Sequence, residues 1–446
     1  MNEKVFDKII GYTTVKKELA QIADCLLRSD SYAEMGVYPP RGLLLFGEPG
    51  VGKSLMADCL IEASGRPVVV CRKTAPDGEF VKAIKESFDE AAAAAPSVIL
   101  LDDMDKFANG DSRHPDAEEY VTVQSCIDEC RGKNVFVLAT ANNVRNLPKS
   151  LLRAGRFDRR IEVIAPEGAD AEAIIAHYLK NKPCAAALDP AAIARIMNGK
   201  SCAELETVIN EAGLLACYDR APAITMRHFL LAALRVVYHI AGSVPEEGDL
   251  FALPEVKSHL RDGRHATVQV AYHEAGHAAV AELLEPGSVS LVTLYGDEED
   301  GHISGFVIHN RRKSDPCRCA YNDVRIGLGG KAALDTKFGI ADLGTGDDLD
   351  HAYSRLREIL SCRCPDDLTL HADDTLPDSE DMKFRQEVVL ADGINREYRA
   401  VKRLLAMNRE FLDKLAAALA EKHILTSDDV RAIRESCDIV TGDTAA

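Results

Sequence analysis

Two short runs in the chain hold residue types that do chemistry only at fixed spacing. Residues 271–277 read Ala-Tyr-His-Glu-Ala-Gly-His, so His273 and His277 stand four apart with Glu274 beside the first. On a helix such a pair lies on one face about one turn apart. Both imidazoles then meet one Zn²⁺, and Glu274 takes a proton from the metal's water. Residues 47–54 read Gly-Glu-Pro-Gly-Val-Gly-Lys-Ser. Glycines at Gly47, Gly50 and Gly52 let backbone N–H groups wrap phosphates, Lys53 reaches the β/γ-phosphates, and the Ser54 hydroxyl holds Mg²⁺. With Pro49, Val51 and the following Leu55, this run is the expected cradle for ATP.

Each run needs supporting elements. The Ala-, Val- and Leu-rich stretch 268–284, closed by Pro286 and Gly287, predicts the helix that the two histidines require. An apolar strand over 43–46 and a helix from Leu55 place the glycine-rich run in a strand–loop–helix setting. A second buried strand over 98–101 ends in Asp102 and Asp103. Beside a phosphate loop, Asp102 is expected to hold the Mg²⁺-bound water, and Asp103 to orient or deprotonate the attacking water. A third strand over 135–139 leads to Asn142, expected at the γ-phosphate. Arg153, Arg156, Arg159 and Arg160 then fall within eight residues. Next to an ATP site, Arg153 and Arg156 read as arginine fingers reaching a neighbouring subunit's nucleotide.

Composition narrows the partners. The 446 residues carry a formal charge of −18, which argues against nucleic acid or an anionic membrane surface as the main partner. Thirteen scattered cysteines without a signal peptide point to reduced thiols in the cytoplasm. The Cys-Arg-Cys pairs, Cys317/Cys319 and Cys362/Cys364, read as free thiols. The most apolar window, 224–242, contains Arg227, His228, Arg235 and His239, so it reads as an amphipathic helix and no membrane span is expected.

Taken together these runs resemble the AAA+ ATPases and, with His273, Glu274 and His277 downstream, the FtsH-type ATP-dependent zinc metalloproteases. Residues 6–18 are similar to that family's adenine-side segment, which implies nucleotide contacts from Ile10 and Gly11. Residues 139–160 are similar to its second region of homology. Residues 201–205 resemble its small-domain helix start, which brings in Ala203, and residues 393–433 resemble its closing helices. The resemblance also implies a third zinc ligand, Asp348, from the stretch 344–349, and a fourth coordination position open to water, as catalytic zinc requires. It further implies a homo-hexamer that acts on unfolded or misfolded proteins.

Four departures stand out. The family's membrane-anchoring part does not precede residue 1, which suggests either a soluble relative or a trimmed form of a longer chain. Asp103 replaces a glutamate, which withdraws the base by one C–C bond, about 1.5 Å, so ATP binding is better supported than fast hydrolysis. Residues 75–80 lack the aromatic-Val-Gly pore loop, leaving Phe80 as a substitute grip. Leu334 replaces an acid near the zinc histidines, and Asp335 is expected to take over the orienting of a ligand imidazole.

The expected fold is an α/β AAA+ module, a parallel sheet with flanking helices plus a helical lid, followed by a mainly helical zinc metallopeptidase domain. The nucleotide-binding part covers 1–165, the lid 166–240, a linker 241–264 and the peptidase 265–446. The expected function is ATP-dependent zinc endopeptidase action that unfolds, translocates and degrades proteins. An ATP-binding remodeller with weak or no proteolysis is the alternative that Asp103, the altered pore loop and Leu334 suggest.

Overall fold

Short runs of Val, Leu and Ile, apolar on both faces, build the first sheet. In the computed structural model, which describes residues 3–73, 77–108, 117–238, 263–294, 305–310, 316–339, 346–361 and 380–440, five parallel strands align. They are β1 (Gly42–Phe46), β2 (Val68–Cys71), β3 (Ser97–Leu101), β4 (Val135–Ala141) and β5 (Arg159–Glu162), in the order β2-β3-β4-β1-β5. Nearly every residue of β1, β3 and β4 is buried, as a sheet covered on both faces requires. Phe80, Ile84 and Phe88 of helix Asp77–Ala93 join Tyr120 and Val123 of helix Glu118–Glu129 in one core with Ile99, Leu101 and Ala139. Helices Gly168–Leu179, Pro190–Ile196 and Cys202–Tyr218 follow. All of this lies in one compact unit, Met1–Phe229.

The second unit, Leu230–Ala446, is mainly helical. The helix Gly263–Leu284 carries both histidines and packs on helices Gly329–Phe338 and Arg409–Lys422. Its contact with Gly329–Phe338 is a backbone approach. A Cβ on Gly276 would strike the Gly329 carbonyl and lie 2.6 Å from Ala333 Cβ, and one on Gly329 would lie 2.7 Å from the Gly276 carbonyl oxygen. Only glycine at both positions lets the two helices come this close. A small antiparallel sheet, which periodicity did not predict, accompanies the helices: β6 (Val289–Thr293), β7 (Phe306–His309) and β8 (Ile424–Thr426), in the order β7-β6-β8. Among the described residues no helix is long and apolar enough to cross a membrane.

Some expectations change here. Phe80 is fully buried, edge-on to Phe107 with ring centroids 4.8 Å apart, so it is a core residue and cannot grip a substrate. Burying a phenyl ring against the sheet outweighs presenting it to water. Ahead of the first α-helix, Glu3–Lys8 form a 3₁₀-helix. Residues 74–76, most of the expected linker, Cys362, Cys364, the Cys317 side chain and nearly all of the acidic stretch 365–381 lie outside the described residues.

Candidate nucleotide site and metal centre

The loop after β1 turns through three left-handed glycines, Gly47 (φ 149°), Gly50 (φ 80°) and Gly52 (φ 99°), and helix Lys53–Ser64 starts at once. A side chain at Gly47 would run into the Val163 carbonyl, and a Cβ at Gly50 would lie 2.8 Å from Ala203 Cβ. Thus the loop is pressed against the segment after β5 and against the start of helix Cys202–Tyr218. A capping box fixes that start: Ser201 Oγ accepts from the Glu204 N–H, and the Glu204 carboxylate accepts from the Ser201 N–H at 2.7 Å.

A cleft of about 510 Å³ lies over this loop, within the range of small-molecule sites. Pro49, Gly50, Val51, Gly52, Lys53, Ser54 and Leu55 line it, together with Ile10, Ala203, Asp103 and Asn142. Gly11 and Gly47 shape the walls without lining the cleft, Gly11 by lying against Asp170. Tyr12, His177, Tyr178 and Cys202 also line it; sequence reasoning missed them because their positions are set by long-range packing. The aromatic residues close one side with apolar surface suited to a base.

Lys53, although 6% exposed, is fully engaged: its ammonium donates to the carbonyls of Gly47 and Glu48 at 2.7 Å and to Asn142 Oδ1 at 2.8 Å. Asp102 ends β3 beside Thr140, whose hydroxyl donates to Asp102 Oδ1 at 2.7 Å. Burial opposes ionisation of Asp102, but hydrogen bonds from Arg72 and Thr140 hold its carboxyl below the usual range. Asp103 adopts a left-handed backbone (φ 52°), pairs with Lys106 at 2.8 Å, and accepts from the Asn142 amide at 3.4 Å. Among the expected fingers, Arg153 is exposed. Arg156 is tied down, donating to Gln124 Oε1 at 2.8 Å, the Ser150 carbonyl at 2.6 Å and Asp128 at 2.9 Å.

In the second unit the three expected metal ligands meet. His273 Nε2 lies 3.0 Å from Asp348 Oδ2 and 3.0 Å from His277 Nε2, and His277 Nε2 lies 3.2 Å from Asp348 Oδ2. Donors held about 2.1 Å from one ion at tetrahedral angles stand about 3.4 Å apart. The triangle is therefore within a few tenths of an ångström of a zinc site, and its two imidazoles and one carboxylate are the donor set that catalytic zinc takes. Asp348 reaches it from the first turn of helix Gly346–Ser361.

The surroundings orient the donors unequally. His277 Nδ1 lies 2.6 Å from the Ile326 carbonyl, the acceptor that fixes the tautomer and turns Nε2 towards the metal position. Burial disfavours the charged imidazole, but the hydrogen bond and charge of Asp348 outweigh it and push the His277 pKa up to about 9. Burial likewise opposes the Asp348 carboxylate, which the two histidines nonetheless hold well below the usual range. His273 Nδ1 is buried and has no hydrogen-bond partner among the described residues. Asp335 does not supply one. Its carboxylate accepts from Tyr398 at 2.9 Å and Lys402 at 2.6 Å, while Leu334 sits in the hydrophobic core. Two strong donors on a neighbouring helix draw Asp335 away from the histidines.

Glu274 is 4% exposed, and burial raises its carboxyl pKa. It packs against Gly305 at the start of β7, where a Cβ would come within 2.5 Å of Glu274 Cγ. Gly330 backs onto the histidines as closely, since a Cβ there would lie 2.6 Å from His273 Cε1 and from His277 Nε2. Neither glycine's role is marked by the residues next to it in the sequence.

Residues 43–164 match the family model described as ATPase family associated with various cellular activities (AAA). Over 96% of its length the chain is similar to the ATP-dependent zinc metalloprotease FtsH 2 of Symbiobacterium thermophilum, at 32% identity and covering 74% of that relative. It is likewise similar over 96% of its length to the ATP-dependent zinc metalloproteases FtsH of Thermus thermophilus (29% identity, 70% covered) and Ureaplasma parvum (28% identity, 60% covered). The chain therefore spans between 60% and 74% of the length of these curated relatives.

Proposed function

Since the chain belongs to the FtsH family of ATP-dependent zinc metalloproteases, we propose that it hydrolyses peptide bonds at the His273–His277–Asp348 centre and drives substrate towards that centre with ATP. The observation that carries this reading is the convergence of Asp348 Oδ2 on both Nε2 atoms across more than seventy residues of sequence. Zinc, when bound there, supplies a Lewis acid and a water acidic enough to ionise near neutral pH. Glu274, next to the first ligand, takes the proton from the attacking water and returns it to the leaving amine. Its raised carboxyl pKa suits a group that does both. Among the described residues β7 pairs only with β6. An extended substrate added along the outer edge of β7 would pass Gly305 and hence Glu274.

In the first unit Lys53 and the glycine-rich loop bind the phosphates of ATP, Ser54 and Asp102 hold Mg²⁺, and Asp103 and Asn142 face the γ-phosphate. Exposed Arg153 is the residue that reaches a neighbouring subunit's nucleotide, and Arg156, held by Gln124 and Asp128, braces it by donating its backbone N–H to the Arg153 carbonyl at 3.2 Å. An arginine acting in trans requires a closed ring, and a hexamer is the form we assign. The substrates are unfolded or misfolded proteins. The ten cysteines whose side chains are among the described residues are free thiols, which supports a reducing compartment such as the cytoplasm.

The test pairs a variant with a chelator. Glu274→Gln should keep zinc and ATP bound yet lose cleavage of unfolded casein by about 10²–10⁴-fold, the range of a general base, and a chelator should stop the unaltered protein. Cleavage that persists in the variant would remove Glu274 from this role, and cleavage that survives the chelator would remove the metal.

A further inference from the structure

Arg72 lies one residue beyond β2, and the parallel pairing of Cys71 with Leu101 puts it level with Asp102 at the end of β3. Its Nε donates to Asp102 Oδ2 at 2.9 Å, and Nη2 donates to the same oxygen. Asp102 is nearly buried, with 8% of its side chain exposed, and Thr140 holds its other oxygen. The Arg72 side chain is 64% exposed. The carboxylate is thus the fixed partner and the guanidinium the movable one. A carboxylate oxygen has two lone-pair sites, and Arg72 fills both on Oδ2.

That oxygen is also the one not engaged by Thr140, and so the one left to receive a water from a hydrated magnesium ion. A guanidinium there both occupies the acceptor and repels a divalent cation. Resting on the reading that this unit binds Mg·ATP, we propose that Arg72 competes with magnesium for Asp102 and so sets the Mg²⁺ concentration at which nucleotide binds. Magnesium and its water shell displace the exposed arm of Arg72, while Thr140 keeps the carboxylate in place. Nothing in the phosphate loop has to move for this exchange.

The experiment is a Mg²⁺ titration of the binding of a fluorescent, non-hydrolysable ATP analogue to the full chain, with a parallel series in chelator. Arg72→Ala should lower the half-saturating Mg²⁺ by about two- to five-fold, the factor expected of an ion pair of this exposure, and leave Mg²⁺-free affinity unchanged. Arg72→Gln, which keeps hydrogen-bond donors but not the charge, should shift the same way by less, and it serves if the alanine variant folds poorly. A half-saturating Mg²⁺ that stays the same or rises in both variants would overturn the proposal and make Arg72 a support for Asp102. If the unaltered chain binds no analogue at any Mg²⁺ concentration, the nucleotide reading itself fails, and that outcome is distinct.

Discussion

Gly330→Ala should damage the metal centre, although most glycine-to-alanine changes inside a helix stabilise a protein. Gly330 lies in helix Gly329–Phe338 with no left-handed backbone to protect. Propensity alone therefore favours alanine by about 0.5–1 kcal/mol. Yet the added Cβ would lie 2.6 Å from His273 Cε1, 2.6 Å from His277 Nε2 and 2.7 Å from His273 Nδ1. Ordinary contacts of these atoms are about 3.5 Å, so the overlap approaches 1 Å at three atoms. The helix cannot retreat without opening its backbone approach to Gly276, and the histidines cannot retreat without leaving Asp348. Overpacking of this kind costs about 1–3 kcal/mol, and misorienting a metal-ligand imidazole costs about 10–100-fold in affinity. The assay is zinc competition against a chromophoric chelator, run with thermal unfolding. Gly213→Ala in helix Cys202–Tyr218, whose Cβ meets only Ile224 Cδ1 at 3.7 Å, is the control and should be neutral or stabilising. Zinc affinity within about two-fold of the unaltered protein, together with a raised melting temperature, would refute the packing argument.

Three further outcomes follow from the same geometry. Asp103→Glu restores about 1.5 Å of reach towards the attacking water and should raise ATP turnover by about tenfold or more. It should also destabilise the first unit by about 1 kcal/mol, because the left-handed backbone at position 103 suits Asp better than Glu; steady-state ATPase and thermal denaturation read the two effects. Phe80→Ala should cost the first unit about 3–5 kcal/mol in denaturant titration, whereas a surface residue would cost almost nothing. Lys53→Ala should weaken ATP binding at least about tenfold by fluorescence titration, since it removes the ammonium that bridges Gly47, Glu48 and Asn142.

The parts of this protein that could be read from sequence are those in which a contiguous run imposes its own geometry. Three glycines in six residues demand left-handed turns wherever they fold, and histidines four apart on an alanine-rich stretch share a helix face in any context. Asp348 became legible only through the resemblance, because nothing local separates a ligand from a helix cap in an acidic run. What could not be read depends on partners distant in sequence. The Ile326 carbonyl that orients His277 lies 49 residues away, and Arg72 meets Asp102 through strand pairing across 30 residues. Phe80 was misplaced because an aromatic beside a loop looks exposed until the sheet that covers it exists. Asp335 was misassigned for a similar reason, since Tyr398 and Lys402 come from a later helix.

The sheet of the second unit has an order of manufacture built into it. Its middle strand, β6, pairs on one side with β7 but on the other with β8, whose residues are synthesised more than a hundred positions later. The nucleotide sheet, by contrast, has all its strands by Glu162. At ribosomal speed the stretch from there to Thr426 takes on the order of 13–50 s. A newborn chain thus passes through a long interval with its first sheet complete and its second still lacking β8. The sheet beside His273, His277 and Asp348 therefore closes well after the nucleotide sheet is complete, because it waits on a strand made more than a hundred residues after its own middle.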